Sequence, residues 1–552
     1  MTTKKKIGVI GGGASGCSLV WSLMRPETEN LCEVTLFHDE DVVGGHSKTI
    51  DVWFDAAGKG FVDDATTPAP AGTKVYPVDI GVQFVCATLY PNLYRQLEFP
   101  EFKNQVNLTP HEALKISGSF SPTLNWGNFP EYQSGPRFEQ CFDAATKELA
   151  AEFEKDIKWA PFTPLDGITF STNMEQYLEV EGVPWSSNFF RYLMIPYLCI
   201  INGYGTTDLL ETKFEDLFPI FVKIPGLQER GPYGSFTEPG RGWDRFTTGA
   251  TSWVAAMADY GRTKGATLNL GQTVTAIYNK PDGTVVVECS PTADLERAKT
   301  DPSHVVPTTS AEFDEVVLTT DMTTNRALLD NAKNALYATQ KDYISADKFA
   351  LIPGVCYIHQ DDDCLSPHLR DKKEDGQFVG AYSMGKTNPD GSNAYGLPYH
   401  LESSFQTYLM KNILGTPVDC HVSMYAEASA AKLPDPAKTI HMKTWRHGRW
   451  VASFFDKAKK DLHRIQGLGN IWFAGNNTTV DSEEGALVSA MIIAAQLFPE
   501  FRYPFPPASE AFVFFEYFQS VMFPSPSLQW RLGRIAADAG EHLRLIREGT
   551  AQ

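Results

Sequence analysis

The chain lacks any apolar run long enough to span a bilayer, any Cys-x-x-Cys pair, and any His-Glu-x-x-His or Gly-x-Ser-x-Gly motif. Those absences argue against a membrane-spanning protein, a thioredoxin-like or zinc-ribbon site, a zinc protease and a serine hydrolase. Positive charge is also scarce: 48 Lys and Arg face 67 Asp and Glu, a formal charge of −19. No basic cluster exceeds Lys4-Lys5-Lys6, so a phosphate backbone is repelled and nucleic acid is not an expected partner. Nine cysteines, an odd number, lie scattered among apolar neighbours, as at Cys17, Cys199 and Cys356, and read as reduced core thiols. Polar residues 1 to 6 run straight into a strand pattern, which predicts no secretory leader and a cytosolic protein.

What remains is a globular chain of 552 residues, 43% apolar and 12% aromatic, enough for two or more domains. Its organising stretch is Ile7-Gly8-Val9-Ile10 followed by Gly11-Gly12-Gly13-Ala14-Ser15-Gly16 and an apolar helical pattern. Strand, Gly-x-Gly-x-x-Gly and helix in that order form a dinucleotide fingerprint: Gly11 permits the turn, Gly13 admits a pyrophosphate, and Gly16 packs helix on strand. Glu33 to Phe37 reads as the next strand, which in such units ends in an acid for the adenosine ribose. The position holds His38, followed by Asp39. Either His38 bonds the ribose or the register slips by one to Asp39, the preferred candidate.

Gly44-Gly45-His46-Ser47 follows, and here the chain resembles the flavin amine oxidase superfamily, which has a Gly-Gly-Arg-like turn beside the flavin. His in place of Arg resembles its branch of predicted NAD/FAD-binding proteins. The resemblance implies FAD, with Gly44, Gly45 and His46 near the ring. It continues at Asp79, Gly81 and Val82, similar to an Asp-x-Gly segment near the flavin, and at Tyr90-Pro91-Asn92-Leu93. Val274 matches a valine whose backbone contacts the adenine, and Tyr357-Ile358-His359-Gln360-Asp361 resembles the branch's Leu-His-x-Asp segment. Asp361 to Asp363 reads as a solvated turn, leaving functional weight only on His359. Near the other end, Ile471 to Ala474 leads into Gly475-Asn476, then a small-residue helix begins near Glu484-Gly485-Ala486. The resemblance points this helix at the flavin N1/O2 edge, with Asn476 where the family has an acid.

The fold expected is α/β: a discontinuous Rossmann-like FAD-binding domain, an inserted α+β substrate domain and a helical C-terminal tail. FAD segments are placed at 1–105, 236–330 and 441–500, substrate-domain segments at 106–235 and 331–440, and the tail at 501–552. Gly240 to Trp243 is read as opening a helix through Tyr260, Asp282-Gly283 as a two-residue hairpin turn, Phe313 to Thr320 as one strand, and 51 to 75 as an exposed excursion. The tail is expected to dock on the body, with a membrane surface or an oligomer partner as alternatives. Catalytic candidates are His447 and Trp445, which share a face if on a strand, then His359, Tyr197 and Tyr204, the tyrosines lining an apolar tunnel. The reaction expected is hydride removal from a C–H bond of a small, largely apolar substrate. Redox-neutral double-bond isomerisation and non-enzymatic flavin binding are the alternatives. The amine oxidases' flavin-side lysine has no counterpart, which argues against a plain amine oxidase, and no metal is expected.

Overall fold

The computed structural model describes residues 3–87, 90–111, 115–121, 124–127, 243–346, 348–349, 351–365, 370, 373–374, 376, 378–383, 405–426, 433–448, 460–479, 482–506 and 509–523. Five parallel strands form its central sheet: β1 (Lys5–Ile10), β2 (Cys32–Phe37), β3 (Thr267–Asn269), β4 (Glu315–Leu318) and β5 (Ile471–Phe473). Their order is β3-β2-β1-β4-β5, with Ile7 to Ile10 paired on one side to Val34–Phe37 and on the other to Glu315–Leu318. A strand flanked on both edges and covered on both faces must be apolar throughout, which is why Ile7, Val9 and Ile10 are β-branched and buried. The chain leaves β1 toward β2 on one side and returns as β4 on the other. This is the switch point at which ligands bind beyond the carboxyl ends of the strands.

Helix α1 (Ala14–Leu23) follows β1 and packs against α2 (Thr251–Thr263) and α3 (Glu483–Leu497). Helix α3 is buried on nearly every side because α4 (Glu510–Met522) covers its outer face with Phe514, Phe515, Phe518 and Met522. The tail to Phe523 is thus part of the core, and Ser509 caps its helix. No helix among the described residues is long and apolar enough to cross a membrane.

A second, seven-stranded sheet runs in the order 439–448, 351–359, 421–426, 405–409, 378–383, 115–121, 124–127, antiparallel except where 378–383 meets 115–121. Strand Thr439–Gly448 belongs here, so this sheet extends past the boundary expected at 440. Four local expectations change as well. Trp243–Phe246 is a strand paired with Leu108–His111, and the helix starts only at Thr251. The hairpin turn has three residues, Pro281 to Gly283, closed by Lys280 and Thr284, with Gly283 at φ +91°. Phe313 to Thr320 is two strands, since Thr309–Phe313 pairs antiparallel with Val285–Pro291 before the chain turns into β4. The stretch from 51 to 75 is not simply exposed: Val52, Trp53 and Phe54 are buried in a strand paired with Gly60–Val62 and Val75–Asp79.

Candidate cofactor site

A cleft of about 360 Å³ opens at the carboxyl ends of β1, β2 and β4. Its floor is Gly11 to Ser15, one end is His38 to Glu40 after β2, and the other is Thr319 to Asp321 after β4. Strand Thr439–Gly448 of the second sheet lays Thr444, Trp445 and Arg446 across it.

Helix α1 enters the cleft with Gly13 at its cap, no side-chain cap and no acid in its first turn. Its first amides and positive dipole end are therefore left for an anion. The buried Ser15 hydroxyl has no hydrogen-bond partner among the described residues and lines the same space. Space is reserved there too: a side chain on Gly13 would begin in an opening whose nearest atom is Gly45 Cα at 3.7 Å, whereas one on Gly16 would meet the Gly11 carbonyl at 1.8 Å. An unspent donor, a free helix end and a gap are the features a pyrophosphate needs, so the residues fit a dinucleotide.

At the ribose end His38 is committed. Its Nε2 lies 3.2 Å from the Val42 carbonyl, which can only accept, so the proton sits there and Nδ1 accepts from the Gly12 N–H at 3.3 Å. Asp39 also lies 3.1 Å from Nδ1, and its side chain is 63% exposed. With Nδ1 accepting from Gly12, it has no proton to give the Asp39 carboxylate, which is left for a ribose. Glu40 is already taken by Lys48 and by Lys443, the latter at 2.6 Å. Burial pushes Glu40 up, but those two ammonium groups outweigh it and the carboxyl lies below its usual range.

Opposite, Gly45, His46 and Ser47 and the start of α3 close the cleft. Ser482 caps α3 by accepting from the Gly485 N–H at 3.0 Å, and Glu483 and Ala486 face the cleft. Glu483 accepts from Ser47 Oγ at 3.2 Å. His46 stacks on Trp445 with ring centroids 4.7 Å apart. Val274, Gly475 and Asn476 line the cleft as well.

Several candidates lie elsewhere. Gly16, Gly44, Asp79, Gly81, Val82, Glu484 and Gly485 do not line the cleft. Asp79 is fully buried and accepts from Arg245 at 3.0 Å, Thr49 Oγ1 at 2.6 Å and the Ala250 N–H at 2.8 Å, so it ties strand Val75–Asp79 to the start of α2. Gly81 packs against the His46 carbonyl, which an added Cβ would meet at 1.7 Å. Glu484 accepts from the Asn92 N–H, Asn92 Nδ2 and the Leu93 N–H at 2.9, 2.7 and 3.1 Å, and thereby caps the helix Pro91–Gln96. His359 is a core residue: its Nε2 meets Ser423 Oγ at 2.8 Å, its Nδ1 accepts from the Asp361 N–H, and burial with the neighbouring His421 charge pushes its pKa down to about 3. Asp361 is buried rather than a solvated turn residue, and pairs with Lys438 at 2.8 Å. The side chain of His447 and the tyrosines Tyr197 and Tyr204 lie outside the described residues. Sequence reasoning passed over Arg245, Glu483, Arg446 and Asp321. The adjacent Glu-Glu pair at the start of α3 was the available signal for Glu483, while a lone Arg or Asp carried none.

A crevice at a parallel-sheet switch point, crossed by a strand from a large antiparallel-rich sheet, gives the chain a Rossmann-like α/β fold. No family model and no curated protein sequence matches the chain. Among solved structures it is similar to a CLA-producing fatty acid isomerase from P. acnes, with a TM-score of 0.53 at 14% identity over 90% of this chain and 100% of that one. An oxidoreductase from Methanosarcina mazei gives 0.51 at 11% identity over 88% and 99%. A putrescine oxidase gives 0.50 at 11% over 90% and 99%.

Proposed function

We propose that this chain is an FAD-dependent oxidoreductase that removes a hydride from a C–H bond of a small, largely apolar substrate. The observation that carries the reading is the uncapped start of α1, with its unpartnered Ser15 hydroxyl and open Gly13 face, beneath a wall from a second sheet. FAD, when bound, supplies a ring able to accept the hydride. The protein's share is holding and shielding. Ala14, Ser15 and Gly13 hold the pyrophosphate, Asp39 takes ribose hydroxyls, and Val274 lies on the adenosine side. Leu328, Phe349, Leu351 and Trp445 give the cleft apolar surface that excludes water and suits an apolar substrate.

The fold likeness to a fatty acid isomerase supports a second reading, in which the hydride is returned to another carbon of the same unsaturated substrate. One experiment tests both. The purified protein is expected to show flavin absorption and to release FAD on denaturation. Under anaerobic conditions, apolar amines and unsaturated lipids are then added in turn. Lasting bleaching supports oxidation, multiple turnover without net bleaching supports isomerisation, and absence of FAD overturns the proposal.

A further inference from the structure

Lys443 and Arg446 stand at the two ends of the segment that crosses the cleft. Lys443 Nζ reaches Glu40 beyond β2 at 2.6 Å, and Arg446 Nη2 reaches Asp321 beyond β4 at 3.3 Å, with Trp445 on His46 between them. The segment therefore spans the switch point above the start of α1. Asp321 follows Thr320, whose methyl lies 2.9 Å from where a Cβ on Gly11 would sit, so Arg446 ends one residue from the dinucleotide loop.

Charge in the cleft makes this position consequential. Four carboxylates line it (Asp39, Glu40, Asp321 and Glu483), and among the described lining residues Arg446 is the one Lys or Arg. A pyrophosphate adds further negative charge, which the end of α1 alone must otherwise offset. The Arg446 side chain is 51% exposed, and its partners among the described residues are Asp321 and a long 3.4 Å contact to Thr324 Oγ1. Most of its five donors are unspent, and their planar fork suits a phosphate.

On the reading that the crevice binds FAD, we propose that Arg446 is a ligand of the cofactor pyrophosphate, supplied by the second sheet, so that the cofactor joins the two sheets across the cleft. Asp321 holds the guanidinium in place by its single ion pair until the stronger, bidentate anion arrives.

The test is titration of the full-length, flavin-stripped chain with FAD and separately with ADP-ribose, which carries the pyrophosphate without the isoalloxazine, at several salt concentrations. Failure of the wild-type chain to bind FAD overturns the cofactor reading itself. With binding established, Arg446→Gln is expected to raise Kd for both ligands by ~10-fold or more, and to flatten the salt dependence. Asp321→Asn keeps a capping side chain for the helix Met322–Leu329 but frees Arg446, so FAD is expected to bind at least as tightly as to wild type. Arg446→Gln within about twofold of wild type overturns the proposal, since a charge-assisted bond is worth more than that. So does an Asp321→Asn variant weakened as much as Arg446→Gln, which would leave Arg446 only a contact between the sheets. Should Arg446→Gln fail to fold, Asp321→Asn decides alone: undiminished affinity supports the ligand role and weakened affinity overturns it.

Discussion

The imidazole of His46 lies on the indole of Trp445, with ring planes 26° apart and centroids separated by 4.7 Å. One ring belongs to the Gly44–His46 turn beside the parallel sheet and the other to strand Thr439–Gly448, so this stack joins the two sheets at the cleft. The Trp445 Nε1–H is buried without a hydrogen-bond partner among the described residues, which leaves a donor that an acceptor on a bound molecule would satisfy. A double-mutant cycle of His46→Ala and Trp445→Ala should show coupling of about 0.5–1.5 kcal/mol in the first denaturant-induced unfolding transition. Additive effects would mean the stack is geometric coincidence.

Gly13 and Gly16 separate cofactor space from packing space. Gly13→Val should fold with near-wild-type thermal stability, because its Cβ meets nothing closer than 3.7 Å, yet lose flavin because its methyls occupy the pyrophosphate position. Gly16→Ala should instead destabilise the apo-protein, since its Cβ would lie 1.8 Å from the Gly11 carbonyl. Flavin-to-protein absorbance ratios and thermal melts of the two variants check this, and equal flavin occupancy in Gly13→Val and wild type would refute it.

Burial pushes the Glu484 carboxyl up to about 7, against hydrogen bonds from Asn92 and Leu93 that favour its charged form. The folded chain therefore binds a proton that the unfolded chain has released between the ordinary value of 4.5 and about 7. Stability contributed by this group is full at low pH and falls as pH rises through that window. Glu484→Gln, which imitates the protonated acid, should match wild type near the lower limit and lose less stability above the upper one. Melting temperatures across that range measure it; parallel curves for the two proteins would count against the assignment.

The Asp79–Arg245 pair tests a different kind of burial. Both side chains are almost completely buried, and burial pushes the Asp79 carboxyl up despite the Arg245 guanidinium. Asp79→Ala leaves Arg245 charged and without its carboxylate partner, and should cost on the order of 3–5 kcal/mol. If Asp79 acts only through this framework, remaining folded protein should bind FAD with unchanged affinity. A folded Asp79→Ala variant with weakened FAD binding would return Asp79 to the cofactor site.

The amino-acid order alone determined the dinucleotide loop, because its geometry is local. A buried strand, a turn that tolerates only glycine at close approach, and a helix start with no cap all follow within Ile7 to Gly16. The start of α3 was legible for the same reason, as a small-residue helical pattern near Glu484, and Ser482 caps it by accepting from the Gly485 N–H. Which of its two glutamates faces the cleft was not. Glu483 and Glu484 are adjacent on a helix buried almost all round, so no polar or apolar face marks the direction, and only packing against Asn92 and Leu93 claims Glu484 while leaving Glu483 to the cleft. Likewise the carboxylate of Asp79 could have served a ligand until Arg245 and the Ala250 amide were folded onto it from a distant segment. Trp445 and Arg446 reach the cleft because their strand belongs to another sheet laid across the first. Such side chains are positioned by pairing register and domain packing, which depend on residues far away in the chain and leave no short-range pattern to read.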